Sequence, residues 1–264
     1  MDEWQRRPPS PTIADSAERT LMTGLMISLL LLAVTTQVPA LPSGPALLAK
    51  TIAYHDPDGS WMEQRVEFSI ETGYADGRTL VRLATVDYAS AAYRDRVEEG
   101  GRVLEQEVRG DSCRLSVDGS EEADAALLDE LGLSCESARR RRDYVSYLWG
   151  LPMKLKDPGA HVADEVHHAR FQDRDVLDLT VDYDPEVGTD VWHMYIDPAT
   201  ARLVGYAFYK TPAEENGEYI VLEVERAVGT ARIPAKRHWY EIPGGAFLGT
   251  DTLLEGRVLG AGAR

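Results

Sequence analysis

Most of this chain alternates apolar and polar residues with a period of two, and that limits its fold more than any other feature. Val66, Phe68 and Ile70 alternate with Arg65, Glu67, Ser69 and Glu71. Leu177, Leu179, Val181 and Tyr183 alternate with Asp178, Thr180 and Asp182, and Ile220, Leu222 and Val224 with Val221, Glu223 and Glu225. Successive strand residues point to opposite faces, so these runs predict antiparallel strands with one buried and one wet face. Turn signals separate them, among them Ala75-Asp76-Gly77, Glu99-Gly100-Gly101, Asp184-Pro185, Asp197-Pro198 and Glu215-Asn216-Gly217. The spacing predicts about nine to eleven strands, and a sheet that large must curl and fill its concave face.

Helical signals are few and supply the filling. Residues 46–54 suit a short helix before the turn His55-Asp56-Pro57-Asp58-Gly59. Ser120 is placed to cap a helix over residues 121–131, with Gly132 as its stop, and Ser134 a second one running to Trp149. On the latter, Ala138, Val145, Leu148 and Trp149 form an apolar stripe, and Arg139, Arg140, Arg141 and Arg142 read as a solvated face. The expected fold is therefore mainly β (α+β): a strongly curved antiparallel sheet, or incomplete barrel, with two or three helices over its concave face.

Two strands are apolar on both faces. In residues 191–196, Trp192, Met194 and Ile196 oppose Val191, His193 and Tyr195; in residues 203–209, Val204, Tyr206 and Phe208 oppose Leu203, Ala207 and Tyr209. Periodicity alone leaves open whether these strands are central and covered on both sides or line a cavity.

Before this region lies an uncharged stretch at residues 20–49, with an apolar run at 21–34 followed by Val38-Pro39-Ala40. The run is short for a bilayer span and suits a secretory signal with small residues at its cleavage site. The expected organisation is a long leader and signal peptide at residues 1–40 and one domain at 41–264, placing the protein in the periplasm or outside the cell. An uncleaved N-terminal anchor is the alternative. The first 40 residues hold three basic and four acidic side chains, so the remainder carries 25 Lys+Arg against 40 Asp+Glu, a formal charge of −15. Such a surface disfavours nucleic acid and anionic headgroups. In an oxidising compartment the only two cysteines, Cys113 and Cys135, are expected to bond.

Motifs for chemistry are sparse. The six histidines match no metal-ligand spacing, and no nucleophile elbow, phosphate loop or dinucleotide fingerprint occurs. No cofactor is expected. His55-Asp56 beside a tight turn is the one polar pair that stands out, and there an Asp commonly caps its own turn.

The densest run of unusual residues is Tyr147-Leu148-Trp149-Gly150-Leu151-Pro152-Met153-Lys154-Leu155-Lys156-Asp157-Pro158-Gly159. With Tyr54-His55-Asp56-Pro57, Gly188-Thr189-Asp190-Val191-Trp192, Gly217-Glu218-Tyr219-Ile220, Arg237-His238-Trp239-Tyr240 and Gly249-Thr250-Asp251, it resembles a family of secreted bacterial proteins similar in architecture to the lipoprotein-carrier (LolA/LolB-like) superfamily. The likeness spans residues 45–254. It implies a half-barrel with helices in its mouth and an apolar interior, holding an acyl or lipid-like molecule and meeting a membrane only transiently. Trp149, Leu151, Met153, Trp192, Tyr206 and Phe208 are then the expected ligand-facing residues. Two rival readings remain: a secreted hydrolase or metal-dependent enzyme using His55, Asp56 and His238, and a non-catalytic envelope interaction protein whose interior is filled.

Overall fold

A computed structural model describes residues 40–211 and 216–261. The expected leader, apart from Ala40, lies outside the described residues. In chain order the elements are α1 (Gly44–His55), a 3-10 turn (Trp61–Glu63), β1 (Gln64–Tyr74), β2 (Thr79–Asp87), β3 (Ala92–Glu99), β4 (Arg102–Arg109) and β5 (Ser112–Val117). Then come α2 (Ala125–Glu130), α3 (Cys135–Gly150), a second 3-10 turn (Met153–Lys156), β6 (Ala160–Phe171), β7 (Arg174–Tyr183) and β8 (Val191–Ile196). The last four strands are β9 (Leu203–Thr211), β10 (Asn216–Val228), β11 (Ala231–Ile242) and β12 (Phe247–Ala261).

All twelve strands join one antiparallel sheet in the order β5-β4-β3-β2-β1-β12-β11-β10-β9-β8-β7-β6. Every neighbouring pair is consecutive in sequence except β1 and β12, which pair along the full length of β1. The sheet is not closed into a barrel. One consequence positions everything else. Strands β5 and β6 follow each other in sequence yet form opposite edges, so the connection between them crosses the sheet. That connection carries α2, α3 and the second 3-10 turn.

The inner face is filled from two directions. Helix α1 starts with Pro45 in its first turn, where a missing N–H costs nothing, and turns Leu47, Leu48 and Ile52 inward against β6, β7 and β11. A Cβ at Gly44 would lie 1.8 Å from the Ala163 carbonyl oxygen, so glycine lets the helix start against the irregular pairing of β6. Helix α3 opens with a capping box in which Ser134 and Ser137 satisfy each other's backbone N–H groups. It lies on β2 to β5 and buries Ala138, Val145, Leu148 and Trp149, the stripe its spacing predicts. Leu151, Met153 and Leu155 continue the same core. Among the described residues no helix is long and apolar enough to cross a membrane.

Two local expectations are corrected. Ser120 does not cap α2; its carbonyl pairs with Val117 N–H in a bridge closing the turn after β5, and Asp124 caps a shorter helix by accepting Leu127 N–H. Helix α2 buries none of its residues fully and joins a side cluster with Leu104, Val117 and Leu133. The alternation in β10 breaks at Val224, which has φ +51° and is 60% exposed, whereas Ile220 and Leu222 are buried. The register with β11 runs unshifted past Val224, and the next pair sets Glu225 opposite Pro234, a residue with no N–H for the ladder.

The strands that are apolar on both faces have two different neighbourhoods. Inward, Trp192, Met194, Tyr206 and Phe208 face the core side. Outward, Tyr195 stacks on Phe171 at 4.2 Å in a satellite cluster with Val176 and Val204, and Tyr219 stacks on Tyr240 at 4.9 Å. The outer face is thus covered by its own side chains. A Cβ at Gly205 would meet the Phe171 ring at 2.2 Å, so glycine lets that ring lie flat on the strand.

Candidate functional site

Between the last turns of α3 and strands β7 to β11 lies a cavity of about 580 Å³, open to solvent on one side. Its wall is aromatic. Trp192 and Phe208, directly opposite across β8 and β9, stack at 4.8 Å, and Tyr147 on α3 meets Trp192 edge-on at 5.1 Å. Tyr147 and Tyr183 hydrogen-bond through their hydroxyls. Burial pushes the Tyr147 phenol well above its ordinary pKa and that of Tyr183 up to about 12, so both remain protonated at neutral pH. At the other end Tyr144 stacks on Trp239 at 6.0 Å. These two residues and Glu218 also line a second cavity of about 200 Å³, bounded by Thr72, Tyr74, Leu248 and Asp251, so the Tyr144–Trp239 pair stands between the two spaces.

A buried polar network supports this wall from below. Arg237 is 1% exposed. It donates from Nη1 to the Pro234 carbonyl at 2.9 Å and from Nη2 to the Leu148 carbonyl at 3.0 Å. The second bond satisfies one of the last carbonyls of α3, where the helix dipole also favours a cation. Burial lowers the Arg237 pKa, and the neighbouring Tyr206 and Asp251 oppose that shift. Asp251, opposite Arg237 across β11 and β12, accepts from Thr72 Oγ1 at 2.6 Å, Trp239 Nε1 at 3.1 Å and Tyr144 Oη at 3.4 Å. The end of α3 is therefore fixed to β11, while its Tyr144 reaches β12. Sequence reasoning missed Arg237 as a structural residue, although its parity gives it away: Ile233, Ala235, Arg237 and Trp239 share the inward phase of β11 and all are buried.

Of the six expected ligand-facing residues, Trp192 and Phe208 line the larger cavity. Trp149, Leu151, Met153 and Tyr206 do not; each is at most 2% exposed and belongs to the packed core. Trp149 is held between Phe68, 5.7 Å away, and the Arg237 guanidinium. Residues 149–155 therefore fold down as floor, and the α3 residues one turn earlier, Tyr144, Tyr147 and Leu148, face the cavity.

The expected polar trio lies in three separate networks. His55 is fully buried; Leu203 N–H donates to its Nε2 at 3.0 Å, which leaves Nδ1–H to donate to the Arg232 carbonyl at 2.6 Å. Asp56 accepts from the N–H groups of Ser60 at 3.2 Å and Trp61 at 3.0 Å, capping the turn. His238 Nδ1 pairs with Thr250 Oγ1 at 2.8 Å, with Glu223 3.4 Å from Nε2. Among the described residues no group of three His, Cys, Asp or Glu side chains is arranged to hold a metal. Cys113 and Cys135 are disulfide-bonded, joining β5 to the first residue of α3.

Four segments singled out in the sequence, at residues 188–192, 217–220, 237–240 and 249–251, meet here: each supplies a residue to one cavity or both. A Cβ at Gly217 would lie 1.9 Å from the Phe208 carbonyl oxygen, so glycine permits the close approach of β9 that sets Glu218 beside Phe208.

A family model described as "Family of unknown function (DUF6503)" matches residues 23–256. No curated protein sequence matches the chain. Among solved structures, a LolA superfamily protein from Nitrosomonas europaea is 10% identical, with a TM-score of 0.45 covering 82% of this chain and 93% of that one. A DUF1329 family protein from Desulfovibrio piger is 5% identical, with a TM-score of 0.42 covering 83% and 94%.

Proposed function

We propose that this chain, which belongs to the DUF6503 family, is an exported binding or carrier protein that holds an apolar, acyl- or lipid-like ligand between α3 and β7 to β11. The observation that carries this reading is the aromatic cavity of about 580 Å³, within the range of about 300–1,000 Å³ that small-molecule sites occupy. Binding would come from apolar area removed from water, at about 25 cal/mol per Å², with the hydroxyls of Tyr147 and Tyr183 as orienting groups. Release would follow displacement of the end of α3, which contributes Tyr144, Tyr147 and Leu148 to one wall. The disulfide and the apolar run at residues 21–34 support export to an oxidising compartment.

The test uses an uncharged fluorescent probe, N-phenyl-1-naphthylamine, with native mass spectrometry and organic extraction of protein purified from its own host. Saturable probe binding that Trp192→Ala weakens, and a co-purifying apolar molecule, are the expected results. If the unmutated protein binds no probe and yields no extractable molecule, the interaction-protein reading takes its place.

A further inference from the structure

The walls of the cavity carry a charge pattern that its apolar character does not require. Four carboxylates line it, Asp143, Asp157, Asp190 and Glu218; Lys154 pairs with Asp157, Arg142 with Asp143 and Lys210 with Glu218, which leaves Asp190. The Asp143 carboxylate pairs with its sequence neighbour Arg142, at 2.8 Å. Asp190, on the loop before β8, makes no ion pair among the described residues.

A second observation says what these carboxylates and rings accept. Lys210 places its ammonium 3.4 Å from the Glu218 carboxylate and 5.8 Å from the centroid of the Phe208 ring. The chain's own cation thus already uses a carboxylate and an aromatic face of the cavity wall, and Trp192 and Asp190 line the same cavity. Aromatic faces carry negative potential and attract ammonium groups, and quaternary ammonium recognition commonly relies on such rings. A carboxylate head would meet the same rings and the Asp190 charge unfavourably, and the cations beside the other acids, Lys154, Lys210 and Arg142, are each already paired.

We propose that the cavity selects amphiphiles with a cationic head, an amine or quaternary ammonium on an apolar tail, over those with a carboxylate head. This rests on the carrier reading and adds the headgroup to it. The tail would take the aromatic space between Tyr147, Trp192 and Phe208, and the head would lie toward Asp190 and Asp143.

The experiment compares dodecyltrimethylammonium with dodecanoate, both below micelle formation, by calorimetry on the full folded chain at neutral pH. The expected result is one saturable site for the ammonium compound, at least roughly tenfold tighter than for dodecanoate. Asp190→Asn should narrow that preference severalfold, and Trp192→Ala should weaken both ligands. Equal or tighter binding of dodecanoate overturns the headgroup assignment and leaves the carrier reading standing. Ammonium binding that Trp192→Ala leaves unchanged is adhesion to an acidic surface and also overturns it. Binding of neither compound, together with failure of the uncharged probe, overturns both.

Discussion

The guanidinium of Arg237 lies 3.6 Å above the indole ring of Trp149, so the only fully buried arginine among the described residues covers one of the largest core side chains. The same group holds a carbonyl of α3 and one of β11 and faces Asp251 across the sheet. Removing it takes a donor from two buried carbonyls and a neighbouring cation from the buried, hydrogen-bonded Asp251. Arg237→Ala is expected to cost about 3–5 kcal/mol, read as a shift in the urea midpoint. Arg237→Lys keeps the charge but lacks the planar fork that spans both carbonyls, so it should fall between the two.

Trp149 and Trp192 separate core from site. Trp149 is 1% exposed and lines neither cavity, so Trp149→Ala should remove about 3–5 kcal/mol of stability. Trp192 is half-buried on the cavity wall. Trp192→Ala should cost less, about 1–2 kcal/mol, while weakening the uncharged probe severalfold. Denaturation and probe titration of both variants give the comparison. Equal stability losses with unchanged probe affinity would remove Trp192 from the site.

Period two made the sheet legible, because each buried strand had to present its apolar residues at alternate positions; Val66, Phe68 and Ile70 show this, at 0, 0 and 4% exposure. The resemblance names Trp192 and Phe208 as ligand-facing, and both line the larger cavity. Periodicity could not tell wall from floor. Trp149, Leu151 and Met153 are as apolar as Trp192, and their depth is decided by where the connection between opposite sheet edges comes to rest. That is a long-range property with no local signature. The breaks at Val224 and Ser120 have local causes, a proline on the paired strand and a bridge after β5, which periodicity alone does not weigh.

The disulfide closes a loop with a sequence separation of 22 residues that contains α2, a helix with no fully buried residue. Its removal should therefore act mainly through the unfolded chain, costing about 3 kcal/mol in the chain-entropy model. The main core includes neither cysteine, so the reduced protein should stay folded. Thermal melts with and without reductant test this. Hydrogen exchange should then quicken first in residues 118–134, and a loss of the entire sheet signal on reduction would contradict the argument.

His55 gives the stability a pH dependence. Its ring is fully buried, accepts Leu203 N–H at Nε2 and donates to Arg232, and burial lowers its pKa below the ordinary 6.5. The hydrogen bond to the Arg232 carbonyl and Glu225, 3.9 Å away, oppose that shift, and the charges of Arg202 and Arg232 add to it. The unfolded chain therefore takes up a proton as the pH falls through 6.5, while the folded chain resists it. Stability from neutral His55 is present above that pH and declines below it, by up to about 1.4 kcal/mol per pH unit. The exposed pair of His161 with Asp184 works in the opposite sense, since its raised pKa favours the fold at low pH. Comparison with a variant isolates His55. His55→Gln should be less stable at pH 7.5, because a glutamine fits the two buried partners poorly. It should also lose less than the unmutated protein between pH 7.5 and 5.5, a range that stops short of most carboxylate titration. Parallel melting-temperature curves for the two proteins would show that this histidine does not couple folding to pH.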